Sequence, residues 1–141
     1  MTDAELRIED DPRHEDRNLL NERLYEFNAR TTGIHDGRWL AIFVRGDDGD
    51  IAAGLHGWTW GGTAHVDTFW IREDLRRHGL GKRLLDAAEA EATRRGCTVL
   101  QLSTHNYQAP GFYRRQGYEE IGALPGWPAG TTRYFFSKTL T

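Results

Sequence analysis

Ten residues in the middle of the chain, Arg76 to Leu85 (RRHGLGKRLL), put basic side chains where a helix begins. The stretch before them, AHVDTFWI (Ala64 to Ile71), alternates as a strand does. The stretch after them, Leu80 to Arg95, carries Leu84, Leu85, Ala88 and Ala92 as one helical stripe. The first turn of a helix presents unpaired N–H groups and partial positive charge, and usually collects Asp or Glu. Here Arg76, Arg77, Lys82 and Arg83 surround it, and no acid occurs between Leu75 and Asp86. Gly79 and Gly81 leave the backbone free to turn and leave no side chain to block a ligand. Empty, such a cluster repels itself and the helix dipole. Holding an anion with more than one phosphate, it becomes favourable.

Two common phosphate loops do not fit. A P-loop needs G-x-x-x-x-G-K-[ST], but Gly81-Lys82 is followed by Arg83 and the position five before Gly81 is Arg76. A dinucleotide fingerprint needs a third glycine where this chain has Leu84, and an acid at the end of the next strand, where Leu100 to Ser103 offers none. What remains is R-x-x-G-x-G, formed by Arg76, Gly79 and Gly81.

A chain of 141 residues suits one domain with a real core. The net charge of -3 gives no global attraction to nucleic acid or to an anionic membrane, so the basic cluster is a local feature. No apolar run approaches the length of a membrane span. The first residues, MTDAELRIEDD, are acidic and do not read as a signal peptide. The single cysteine, Cys97, cannot form an internal disulfide; a reducing cytoplasm is the expected setting, with Cys97 a packed small residue after Gly96. No His, Cys or Asp pair has metal-ligand spacing, so no metal is expected.

In chain order, Ala4 to Glu9 reads weakly as a strand from Leu6 and Ile8, and Pro12 ends it. Arg13 to Arg30 reads as a helix, with Leu20, Leu24 and Phe27 at helical spacing. Trp39 to Arg45 and Ile51 to Trp60 form a hairpin across Asp47-Asp48-Gly49-Asp50, and Gly61-Gly62 turns into Ala64 to Ile71. After the helix, Gly96 suits a C-terminal cap, and Arg94 and Arg95 suit the negative end. Thr98 to Thr104 is the next strand, parallel to the one before the helix. Pro110 to Gly117 bounds a short helix. Tyr118 to Gly122 and Thr131 to Lys138 are two last strands around the loop Leu124 to Gly130. The fold class expected is α/β (α+β), one domain spanning 1–141, with a mixed, mainly antiparallel sheet flanked by helices. The five tryptophans, Trp39, Trp58, Trp60, Trp70 and Trp127, read as core, the alternative being a site that favours an apolar or aromatic amine.

The R-x-x-G-x-G loop between strand and helix resembles the pyrophosphate loop of the GNAT superfamily of N-acetyltransferases. A second block, THNYQAPGFYRRQGY (Thr104 to Tyr118), is similar to the GNAT strand and short helix with an F-Y pair followed by G-[FY], here Phe112-Tyr113 and Gly117-Tyr118. The likeness is strongest from Asp67 to Leu140. The loop departs from it in carrying Arg77-His78 where a glycine commonly follows the arginine.

The resemblance implies a central parallel pair of strands that splay apart, and acetyl-CoA as co-substrate. It implies that the loop residues Arg76, Arg77, His78, Gly79, Gly81 and Lys82 hold the pyrophosphate. The backbones of Phe69 and Ile71 would meet the acetyl carbonyl and the pantetheine, and Asn106 and Gln108 the amide arm, unless these two only cap their loop. Tyr113 is the candidate acid for the departing thiolate, also contacting the coenzyme. For the base, simple alternation puts His65 and Asp67 on one face with Phe69 and Ile71. Asp67 is then the candidate to bind or deprotonate the amine, with His65, His56 and His105 as further candidates. Glu26 and Asn28, late in the first helix, fall where such folds line the acceptor pocket. The acceptor expected is a small-molecule or protein amine, with no nucleic acid and no membrane; an edge-strand homodimer is compatible. Two rivals stand beside direct transfer: another acyl-CoA as donor, or a non-catalytic acyl-CoA-binding module.

Overall fold

The computed structural model describes residues 4–141. The chain divides into two compact units, Met1–His35 and Asp36–Thr141, each taken here by itself.

In the first unit residues 4–9 form no strand. Leu6 and Ile8 are 92% and 100% exposed, so two alternating apolar residues among acids were too little to make one. Helix α1 (His14–Thr32) does form. Glu15 and Asp16 complement the dipole of its first turn, and Gly33 closes it at φ 74°. The unit holds no second helix or strand among its described residues, and Leu20, Leu24 and Phe27 remain exposed.

The second unit is a six-stranded sheet in the order β1-β2-β3-β4-β6-β5. The strands are β1 (Arg38–Arg45), β2 (Ile51–Trp60), β3 (Thr63–Ile71), β4 (Val99–His105), β5 (Glu119–Pro125) and β6 (Thr132–Thr139). Helix α2 (Leu80–Arg94) connects β3 to β4, and helix α3 (Pro110–Arg115) connects β4 to β5. Every neighbouring pair is antiparallel except β3 and β4, the βα-connected pair. The loop expected at Leu124 and Pro125 belongs instead to β5, which pairs Leu124 with Arg133 and Pro125 with Thr132.

One face of the sheet carries the core. Leu40, Ala53, Leu55, Ala64, Val66, Leu100, Leu102 and Phe136 pack there against Leu84, Leu85, Ala88 and Ala92 of α2 and Tyr113 and Tyr118 at α3. The stripe read from the helix sequence is the buried stripe. Full burial of a leucine such as Leu85 contributes about 1.5–3 kcal/mol. Arg95, at the end of α2, does more than meet the dipole: its Nη1 donates to the Trp39 carbonyl at 2.9 Å and to Thr59 Oγ1 at 3.1 Å, fixing the helix over β1 and β2. Across the helix, Glu89 accepts from Tyr118 Oη and Lys138 Nζ, both at 2.9 Å, which ties α2 to β6.

The tryptophans are not core. Trp39, Trp70 and Trp127 are 68%, 48% and 42% exposed, and Trp58 and Trp60 are half-buried. Register explains this. Trp39 pairs with Trp58, Trp58 with His65, and Gly54 with Trp70. Trp39, Trp58, Trp60 and Trp70 sit in the pleat between residues that face α2 and so line the other face of the sheet, and Trp127, in the β5–β6 loop, packs on Phe135.

Candidate functional site: a fork in the sheet

Strands β3 and β4 pair only from Thr63↔Val99 to His65↔Gln101. Beyond that point each keeps its outer partner, β3 with β2 and β4 with β6, but not the other. The facing edges of residues 66–71 and 102–105 therefore part, and the sheet opens as a fork whose crotch is at His65 and Gln101.

A bulge accompanies the opening. Gly57 pairs with Val66 and His56 with Thr68, leaving Asp67 as an extra residue. Such an insertion bends the strand and increases its twist. It also reverses the alternation. Before the bulge Ala64 and Val66 face the core; after it Phe69 and Ile71 do. His65 lies on the opposite face, its ring 5.1 Å from Trp58. The expected sharing of one face by His65, Phe69 and Ile71 is thus corrected, and Asp67 is the exposed bulge residue itself. Gly57 permits the arrangement, because a Cβ there would stand 1.8 Å from the His65 carbonyl oxygen. Sequence reasoning passed over Gly57, although a lone glycine inside a strand pattern is a bulge signal.

At the mouth of the fork the chain makes a short 3-10 turn (Glu73–Leu75) and then the basic loop. Arg77 at φ 65° and Gly79 at φ 81° are both left-handed. The backbone N–H groups of Arg77, His78 and Gly79 bond to nothing among the described residues, an arrangement suited to an anion. The cations are not equivalent. Arg76 Nε turns inward to the Ile71 carbonyl at 2.8 Å and pins the loop to the end of β3. Lys82 is paired with Asp86 at 2.6 Å. Arg77, His78 and Arg83 stay exposed and free of ion pairs among the described residues. A Cβ on Gly81 would stand 3.4 Å from Ile71 Cδ1 and 3.5 Å from Phe112 Cζ, so the start of α2 lies close against the end of β3 and against α3.

Tyr113 lies on α3 next to Phe112. Its ring sits among Phe69, Phe112, Tyr118 and Phe136. Its hydroxyl has no hydrogen-bond partner among the described residues. Burial pushes its pKa up to about 12, so the phenol keeps its proton at any working pH. Asn106 and Gln108 are engaged within their loop. Asn106 Oδ1 accepts from the Thr132 N–H at 3.3 Å, and Gln108 Oε1 accepts from the His105 N–H at 2.6 Å and from Thr104 Oγ1 at 3.1 Å.

The open face beside the fork was missed from sequence. His65 Nδ1 is buried without a partner among the described residues. Burial holds the His65 imidazole below its ordinary value, with Asp67 pulling it up and Arg133 pushing it down. Glu26 and Asn28 lie on α1 in the first unit, Glu26 paired with Arg23 at 3.2 Å. Cys97 is buried, and burial raises its thiol pKa, as suits a packed residue. No group of three or more His, Cys, Asp or Glu side chains among the described residues is placed to hold a metal. No helix among them is long and apolar enough to cross a membrane.

A six-stranded forked sheet with one parallel pair, a glycine-bearing basic loop at the fork's mouth and a buried tyrosine beside it matches the fold of solved acetyltransferases. The family model "Acetyltransferase (GNAT) family" matches residues 4–118. Blasticidin-S acetyltransferase of Streptomyces morookaense is 38% identical over 118 residues, covering 79% of this chain and 85% of that one. Acetyltransferase Atu2258 of Agrobacterium fabrum is 33% identical over 119 residues, covering 84% and 87%. A solved acetyltransferase structure from Bacillus cereus superposes with a TM-score of 0.76 at 26% identity over 95% of this chain and 98% of that one. The chain belongs to the GNAT family of acetyltransferases, and its co-substrate is acetyl-CoA.

Proposed function

We propose that the chain transfers the acetyl group of acetyl-CoA directly to a primary amine, with both substrates bound at the fork together. The observation that carries this reading is the fork itself, open beside a loop whose N–H groups are unpartnered among the described residues and beside a buried tyrosine whose hydroxyl is unbonded among them. The thioester supplies an activated acyl group. The loop backbone, with Arg77, His78, Gly79, Gly81 and Lys82, holds the pyrophosphate, and Arg76 fixes the loop. The free edge of β3 at Phe69 and Ile71 offers backbone groups to the carbonyl and the amide arm. Asn106 and Gln108 keep their amide N–H groups for the same arm. Tyr113 donates its proton, as a hydrogen bond or outright, to the departing sulfur. Asp67, exposed in the bulge, attracts the ammonium and takes its proton through water. The named activity of the Streptomyces morookaense relative favours a small-molecule acceptor.

The test is an amine screen read by free-thiol release, with coenzyme A binding measured alongside. At a hundred times Kd, coenzyme A should stabilise the fold by about 2.7 kcal/mol. Gly81→Asp adds a side chain and a negative charge, so it should abolish both binding and thiol release while leaving the fold intact. A folded wild type with no thermal shift in millimolar coenzyme A would sink the reading.

A further inference from the structure

Four Lys or Arg residues among the described ones are half-buried: Arg72, Arg95, Arg133 and Lys138. Three have a carboxylate partner, respectively Asp74 at 2.6 Å, Glu91 at 2.8 Å and Glu89 at 2.9 Å. Arg133 has none. Half-burying a cation without a counter-charge is costly, and such a group is normally paired. Its guanidinium is nevertheless held firmly. It lies 4.0 Å from the centroid of the Trp127 ring and 5.6 Å from that of Phe135. Nε and Nη2 both donate to Ser103 Oγ, at 2.9 and 2.6 Å. One edge of the fork-shaped group is therefore taken up by a hydroxyl. Nη1 makes no hydrogen bond among the described residues and, with the remaining Nη2 proton, presents a two-donor edge of the kind that grips a carboxylate.

Position gives this meaning. Arg133 pairs with His105 at the far end of β4, and Ser103 pairs with Phe135. Both side chains lie on the open face, the face of His65, away from α2. Ser103 is two residues beyond Gln101, which marks the crotch, a step of about 7 Å along the strand. The second orphaned group of this face, His65 Nδ1, stands at the crotch itself. An unpaired cation and an unpaired buried nitrogen thus lie one strand-step apart on the face opposite the helices.

We infer that Arg133, held by Ser103 and Trp127, is a carboxylate clamp for the acceptor, which is an amine bearing a carboxylate. This rests on the acetyl-transfer reading, in which the acceptor is bound at the fork.

The experiment compares 4-(aminomethyl)benzoate with benzylamine, the same amine with and without the carboxylate. Each is titrated by tryptophan fluorescence into the coenzyme A complex of the full chain, as wild type, Arg133→Gln and Arg133→Lys. The carboxylate should bind on the order of tenfold tighter to wild type. Arg133→Gln should erase the difference and Arg133→Lys should keep part of it, with coenzyme A affinity unchanged in both. Equal affinities in wild type, no saturable binding of the carboxylate, or a preference that survives Arg133→Gln overturns the clamp. Weaker coenzyme A binding by Arg133→Gln also overturns it, since the arginine would then serve the coenzyme. A wild type that binds no coenzyme A instead defeats the acetyl-transfer reading, and the clamp is then decided by the same titrations without coenzyme.

Discussion

Gly57→Ala isolates the bulge from everything else at the fork. The added methyl would stand 1.8 Å from the His65 carbonyl oxygen, 2.8 Å from its carbon and 3.0 Å from Val66 Cα, all backbone atoms that cannot rotate away. Opening the first contact merely to 3.0 Å moves one strand 1.2 Å from the other. A ladder bond of about 2.9 Å would then stretch to about 4.1 Å and be lost. Two such bonds lost, with their groups left unsatisfied in a packed sheet, cost roughly 2–5 kcal/mol. That corresponds to a melting drop on the order of 10 °C for a domain near this size. The alternative open to the chain is to expel the bulge, which would return Asp67 to the ladder and put Phe69 and Ile71 on the wrong face. Either way coenzyme A affinity should collapse. Gly54→Ala is the control, since its Cβ would meet the Ile42 carbonyl oxygen at 2.5 Å, on the β1 side and away from the fork. It should lower the melting temperature and spare coenzyme binding. Calorimetric titration and thermal melts of both variants decide the matter. A Gly57→Ala protein that melts like wild type and binds coenzyme A with wild-type affinity would refute the claim that the bulge builds the site.

Two further outcomes follow from single side chains. Tyr113→Phe keeps the ring among Phe69, Phe112, Tyr118 and Phe136 and removes a hydroxyl with no bonded partner, so stability should change by less than about 1 kcal/mol, while single-turnover transfer slows on the order of 10²-fold. Burial holds His65 below its ordinary 6.5, so its contribution to stability is present above pH 6.5 and declines as pH falls toward the depressed folded value, where the unfolded chain takes the proton first. His65→Gln should flatten that acid limb; parallel curves of melting temperature against pH for variant and wild type would show that His65 carries none of it.

Much of the fold was legible because local signals agreed. The stripe Leu84, Leu85, Ala88 and Ala92, closed by Gly96 at φ 84°, left one way to lay α2 down, and Ile51 and Trp60 bound β2 as read. The glycine turn before α2 was legible too, Gly79 taking φ 81° at the helix start. What failed was whatever depends on register. Alternation extended through Asp67 gives the wrong face for Phe69, because the bulge is set by the partner strand at Gly57. Aromatic content suggested a tryptophan core, but the pleat positions facing α2 are filled by Leu40, Leu55, Ala53 and Phe136. Ser103 and Arg133 gave no signal at all. They meet because β6 returns to pair with β4 after α3 and β5 have intervened, and nothing local to either residue announces that.

The reversal at Asp67 also separates two jobs. Strand β6 alternates so that Tyr134 and Phe136 pack with the core while Arg133 and Phe135 project from the open face. Strand β4 does the same with Leu102 and Thr104 buried against Ser103 and His105 less so. In the proposed reading the coenzyme meets the covered side, through Gly81, Ile71, Phe112 and Tyr113, and the acceptor meets the open side, through His65, Ser103 and Arg133. Neither set uses the other's packing, so residues on the open face can change what amine is taken without disturbing the helix face that stabilises the sheet. Without the bulge one run of alternating residues on β3 would have to serve both sides, and a change made for the acceptor would fall on the strand edge that holds the thioester. In that reading the extra residue lets a single strand present His65 to the acceptor and Phe69 to the coenzyme.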